Sequence, residues 1–123
     1  MSEEAQIIAG DGILDTLGDH LRRAGLDGKV YVISDRQVWS HCGPTLAAGL
    51  TARGFAVRTK TITGGEHRKT LREAEALYTW LAAERAERRD TIVALGGGVI
   101  GDLAGFVAAT YLRGVALVQV PTT

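Results

Sequence analysis

TIVALGGGVIGDLAGF, residues 91–106, compresses a strand, a glycine turn and the start of a helix into one short stretch. Thr91 to Leu95 run β-prone without a charged break, the pattern of a strand buried on both faces. Three glycines follow. VIGDLAGFVAATYL (99–112) then carries apolar residues nearly all round a helical wheel, which predicts a buried helix starting near Val99. VALVQV (115–120) reads as the next strand. Strand, turn, helix and strand in this order form a βαβ unit, and that unit implies parallel strands.

Outward from it, the hydrophobic period switches repeatedly. QIIA (6–9) reads as a short strand, and Asp11 can cap a helix with Ile13, Leu14, Leu17 and Leu21 on one face. KVYVIS (29–34) is another near-continuous strand. A helical region follows to Arg53, its main part opened by Pro44, because proline suits a first turn better than an interior. Its apolar period (Val38, Trp39, Cys42, Leu46, Leu50) makes Cys42 a buried structural thiol. FAVRTKTI (55–62) alternates like a half-exposed strand. Thr70 and Glu73 form a capping box ahead of a helix with Leu71, Ala74, Leu77, Tyr78 and Leu81 on one face. The charge run ERAERRD (84–90) reads as a solvated face and loop.

Alternating strands and helices with short connections predict an α/β, Rossmann-like layered fold with a mainly parallel sheet, in one domain over residues 1–123. Ligands of such sheets bind at the carboxyl ends of strands. Three segments stand out there: Ser34–Asp35, GGEHRK (64–69) and GGGVIGD (96–102).

Composition narrows the function. The 123 residues include 14 basic and 14 acidic side chains, so there is no basic footprint for nucleic acid. No apolar stretch reaches membrane-spanning length, and MSEEAQ lacks the apolar core of a signal peptide. The single cysteine forms no internal disulfide and fits a reducing cytosol. The expectation is a cytoplasmic protein that binds neither nucleic acid nor membrane. The chain stops at PTT, directly after a strand, which suggests one part of a longer polypeptide.

The glycine run offers an anion site. Glycines admit a phosphate close to the backbone, and a helix N-terminus presents unpaired N–H groups and a positive dipole end. No G-K-[ST] follows, so this is not a Walker A loop. The ordinary dinucleotide fingerprint fits poorly as well. It belongs in a first βα turn with an acid some way downstream, whereas no Asp or Glu follows Asp102. Asp35, ending the second strand, is placed to read a ribose instead. The competing reading is that the glycines only allow close helix packing, together with Ala104, Gly105, Ala108 and Ala109. Gly105 is assigned to packing outright. Asp102, in the first helical turn, suits a hydroxyl or amide partner, or simply the helix dipole. Arg113 stands where the helix ends, as a dipole-matched cation or as a partner for an anionic ligand. The three histidines are scattered and no metal-ligand spacing occurs.

These residues carry a family resemblance. GGGVIGDLAGFVAATYLRGVALVQVPTT (96–123) resembles the signature of the 3-dehydroquinate synthases, of the sugar-phosphate cyclase superfamily. GGEHRKTL (64–71) resembles that family's glycine-glutamate-x-x-lysine segment, and YVISD (31–35) its strand ending in an acid. The resemblance implies an N-terminal NAD-binding domain. It implies Asp35 on the adenosine ribose, and Gly65, Glu66 and Lys69 on NAD. It implies Gly97, Gly98, Val99, Ile100, Gly101 and Asp102 along the pyrophosphate and neighbouring ribose, with Thr122 and Thr123 closing over the cofactor. Arg113 would reach the substrate phosphate across a homodimer interface. Gly64 departs from the pattern, since many members carry aspartate there.

The implied reaction converts 3-deoxy-D-arabino-heptulosonate 7-phosphate to 3-dehydroquinate with elimination of phosphate, on the route to aromatic amino acids. NAD is regenerated in each turnover. Zinc or cobalt is expected in the family, but its ligands belong to a C-terminal helical domain absent here, so this chain alone is expected to be inactive. The rivals are a sibling sugar-phosphate cyclase, a polyol dehydrogenase of the glycerol dehydrogenase type, and a nucleotide-binding module without catalysis. An unpartnered last strand and a buried helix facing an absent domain would leave the isolated chain marginally stable.

Overall fold

A computed structural model describes residues 13–62 and 71–122, with the backbone of Gln6 and Ile7. The elements are β1 (Gln6–Ile7), α1 (Ile13–Arg23), β2 (Val30–Asp35), α2 (Arg36–Ala52), β3 (Val57–Ile62), α3 (Leu71–Ala83), β4 (Thr91–Gly96), α4 (Gly98–Thr110), a 3-10 turn (Tyr111–Arg113) and β5 (Ala116–Pro121). One sheet has the order β1-β5-β4-β2-β3, and every pairing in it is parallel.

Side-chain alternation divides the sheet between two cores. Tyr31, Ile33, Ile92, Ala94 and Leu117 face α3 and α4. Val30, Val32, Val93, Leu95, Val118 and Val120 face α1 and α2. β4 lies between both cores and is buried along its whole length, as its unbroken apolar run requires. β3 is an edge strand and is buried only at Ile62, which matches its polar alternation. From β2 the chain steps to β3; from β4 it steps the other way, to β5. The strand order therefore reverses between β2 and β4, and a crevice opens at their carboxyl ends.

Several expectations are corrected. β5 is not unpartnered, because it pairs with β1 and with β4. Pro44 lies inside α2 and does not open it. Pro44 and Ser40, whose carbonyl loses its helical donor there, are both exposed, so that end of the missing bond is open to solvent. Cys42 is half-buried against the α1–α2 core. α4 is buried on one face only: Ile100, Leu103, Ala104, Val107 and Ala108 meet the sheet, while Ala109 and Phe106 are exposed. Leu71, the first residue of α3, is 79% exposed, beyond the sheet that covers Ala74, Leu77 and Leu81. The charge run 84–90 ends in a buried carboxylate, since Asp90 accepts from the Lys29 and Glu87 N–H groups at 2.9 and 2.7 Å. The Asp11 and Thr70 caps lie outside the described residues.

Candidate functional site

β4 delivers the chain to the crevice. Gly96 has φ +154°, which strains any other residue, and a Cβ there would crowd Ile100 Cγ1 at 3.1 Å, so the backbone calls for glycine and packing favours it. Gly97 caps α4 in extended conformation with no side-chain bond, and Gly98 is the first helical residue, one position earlier than the sequence predicts. Neither has positive φ, and a Cβ on either would meet nothing within 4 Å. Their lack of side chains therefore has no origin in packing or in the backbone. It leaves open the space before the N–H groups of Gly98, Val99 and Ile100; the next donor, Gly101, is already bonded to the Gly97 carbonyl at 3.0 Å. Ile100 contributes only its backbone, because its side chain is buried in the core. Helix dipole and free donors together favour an anion at this point.

Close packing does explain other glycines. A Cβ on Gly101 would come 3.0 Å from Gln119 Oε1. At Gly105, assigned to packing from sequence, a Cβ would lie at an ordinary 3.6 Å from Leu117 Cδ2, so the demand there is mild.

Around the loop, a cleft of about 200 Å³ is lined by Ala94, Gly96, Gly97, Gly98, Gly101, Gln119 and Pro121. Across the crevice, Asp35 ends β2 and caps α2, its Oδ1 accepting from the Val38 N–H at 2.7 Å. Among the described residues no hydrogen bond reaches its second oxygen. Ser34, fully buried, donates to the Leu95 carbonyl at 2.8 Å and ties the ends of β2 and β4 together at the fork. Thr122 follows β5, and its buried Oγ1 has no hydrogen-bond partner among the described residues.

The structure thus gathers Asp35, Gly97, Gly98, Val99, Ile100, Gly101 and Thr122 at one edge of the sheet. Asp102 is in the second turn of α4 and not the first; it is exposed. Arg113 lies apart, at the far end of α4. Thirteen helical residues intervene, about 20 Å at the helical rise. It is not a last-turn cation of α4 either: Leu112 and Arg113 occupy left-handed backbone, φ 49° and 67°, beyond the helix. Gly65, Glu66, Lys69 and Thr123 lie outside the described residues. Sequence reasoning gave no role to two residues of this edge: Ser34, singled out only together with Asp35, and Gln119. The signal for Gln119 was a lone polar side chain within VALVQV, and for Ser34 its place beside Asp35.

Among the described residues, no three His, Cys, Asp or Glu side chains form a group able to hold a metal ion. None of the described helices is long and apolar enough to cross a membrane.

Residues 59–123 match the family model described as 3-dehydroquinate synthase N-terminal. The chain is 50% identical over 117 residues to 3-dehydroquinate synthase of Pelotomaculum thermopropionicum, covering 95% of this chain and 32% of that protein. It is 46% identical over 110 residues to the enzyme of that name from Picosynechococcus, covering 89% and 30%. The chain thus spans about a third of the length of these relatives. Among solved structures it resembles 2-deoxy-scyllo-inosose synthase complexed with carbaglucose-6-phosphate, NAD+ and Co2+: TM-score 0.82, 32% identity, 94% of this chain and 32% of that one.

Proposed function

Because the chain belongs to the 3-dehydroquinate synthase family, matching its N-terminal part over more than half of the 123 residues, we propose that it forms the NAD-binding domain of a 3-dehydroquinate synthase. In this reading it is the N-terminal part of a longer, two-domain cytoplasmic enzyme that acts as a homodimer. The enzyme converts 3-deoxy-D-arabino-heptulosonate 7-phosphate to 3-dehydroquinate with elimination of phosphate.

One observation carries the reading: Gly97 and Gly98 leave room that neither packing nor backbone conformation demands, directly before free helix N–H groups. A dinucleotide diphosphate fits that room and those donors. The second carboxylate oxygen of Asp35 accepts from the adenosine ribose hydroxyls, and the orphaned Thr122 hydroxyl gains a partner when the cofactor is in place. Asp102 and the residues Gly65, Glu66, Lys69 and Thr123 complete the cofactor set. NAD supplies a hydride acceptor that is restored within the turnover. Among the described residues no side chains form a metal site, and in this reading the ligands of the zinc or cobalt ion belong to the rest of the longer enzyme.

Arg113 serves the substrate phosphate. In the same reading it serves the site of a second copy, which is compatible with its place beyond the far end of α4 from its own glycine loop. The second reading, a sibling sugar-phosphate cyclase, is favoured only by the likeness to 2-deoxy-scyllo-inosose synthase.

The test uses the full-length protein. NAD+ binding by calorimetry and turnover of the heptulosonate phosphate are expected, with Arg113→Ala abolishing turnover and sparing NAD+ affinity. Absence of NAD+ binding overturns the reading. Turnover of another sugar phosphate in its place selects the sibling cyclase. Turnover by the 123-residue chain alone would refute the two-domain assignment.

A further inference from the structure

β5 runs Ala116, Leu117, Val118, Gln119, Val120, and only Gln119 interrupts its buried apolar run. It shares the sheet face of Leu117, beneath α4. Gln119 is half-buried, and its carboxamide makes no hydrogen bond among the described residues. Of the described residues lining the cleft at the glycine loop, it alone has a side chain that can donate or accept a hydrogen bond; the others are glycine, alanine and proline. Gly101 stands against it, so close that a Cβ would lie 3.0 Å from Oε1. The helix thus gives up a side chain where the carboxamide lies.

The size of the cleft indicates what meets that carboxamide. At about 200 Å³ it is smaller than the roughly 300–1,000 Å³ of sites that enclose a whole small ligand. It accommodates the linking diphosphate of a dinucleotide, with the nucleosides outside. The described residues lining it include no cation, so on this side of the cleft backbone N–H groups and one neutral amide meet the charge.

We propose that Gln119 is a dinucleotide-binding residue, whose amide N–H donates to the diphosphate at the N-terminus of α4, and that Gly101 is glycine to keep the carboxamide in that position. This rests on the NAD reading above and adds a contact to it.

Binding of NAD+, ADP-ribose and adenosine to the full-length protein tests it. Gln119→Met keeps the side-chain length and removes the donor. NAD+ and ADP-ribose are each expected to weaken by the same factor, about tenfold, as for loss of a hydrogen bond to a charged group. Adenosine, which has no phosphate, is unaffected. Gln119→Glu is expected to weaken both phosphate ligands by about a hundredfold, since a carboxylate repels the diphosphate. Gly101→Ala weakens NAD+ in the parent but adds little to Gln119→Met, because the two changes act on one contact. Unchanged NAD+ affinity in both Gln119 variants overturns the proposal, as does an adenosine loss equal to that of NAD+. A parent protein that binds no NAD+ sinks the cofactor reading itself, whereas a parent that binds and variants that bind equally sink only the role of Gln119.

Discussion

Gly28, at the entry to β2, and Gly98, just past the exit from β4, stand at opposite ends of one sheet. A Cβ on Gly28 would lie 2.4 Å from the Arg89 carbonyl oxygen and 2.6 Å from Asp90 Oδ1; on Gly98 it would meet nothing within 4 Å. The carboxylates at the two ends differ in the same way. Asp90, at the amino end of β4, is 2% exposed, and both its oxygens are used, by Lys29 and Glu87 N–H, with the Lys29 ammonium 3.9 Å away. Asp35, at the carboxyl end of β2, is half-buried and spends one oxygen on Val38. The amino end is closed on itself, and its special residues answer to neighbours in the chain. At the carboxyl end Gly97, Gly98 and the second oxygen of Asp35 answer to nothing among the described residues, and that is the end where parallel sheets take ligands.

Stability measurements probe that contrast, and the largest effect is expected at the closed end. Asp90→Ala leaves two backbone N–H groups without their acceptor and removes the Lys29 partner. It should cost about 3 kcal/mol of folding free energy, read from the urea midpoint. NAD+ affinity of the folded variant should not change. A loss below about 1 kcal/mol would mean that water reaches those donors and the end is not closed. Gly28→Ala should cost about 2 kcal/mol, because its Cβ meets backbone that cannot step aside. If it is neutral by the same measurement, the two glycines do not differ in the way argued.

The same contrast decides what was legible in the sequence. The layered fold was, because burial on two faces leaves unbroken apolar runs such as TIVAL, and edge strands leave alternation such as VRTKTI. The glycine loop was legible as a place but not as a purpose. GGGVIG is consistent with close packing and with a cradle, and only the surroundings of Gly97 and Gly98, set against those of Gly101, separate the two. Asp90 was misread because a charge run looks solvated, and nothing local shows that its last member turns back to cap Lys29, 61 residues earlier. Gln119 went unassigned because one polar residue in a strand carries no motif. Its meaning comes from Gly101 on another element. The exposed sides of Phe106 and Leu112, each 48% exposed, could not be foreseen from an all-round apolar pattern, which does not say which face the sheet covers.

A smaller gain is expected where the closed end is imperfect. Thr91 is fully buried, yet its Oγ1 has no partner among the described residues. Thr91→Val keeps the branched shape and deletes the unsatisfied hydroxyl. It should stabilise the protein by about 1 kcal/mol and raise Tm by a few degrees. A lowered Tm would show that the hydroxyl is bonded after all, and that this end has no defect.

The smallest change in stability is expected at Gly98, and it is the most informative. Alanine is favoured over glycine in a helix and less free in the unfolded chain, and here it meets no neighbour and no positive φ. Gly98→Ala should therefore stabilise the fold by about 0.5 kcal/mol. The same methyl group would stand before the free N–H groups of α4, where the diphosphate is proposed to lie. NAD+ affinity of the full-length protein should fall at least about tenfold while the melting temperature holds or rises. Gly105→Ala is the control, since its Cβ takes an ordinary 3.6 Å contact with Leu117 and lies one helical turn past Gly101. It should stabilise similarly and leave affinity alone. Equal NAD+ affinity in Gly98→Ala and Gly105→Ala would remove the main feature that separates the open end of this sheet from unused space.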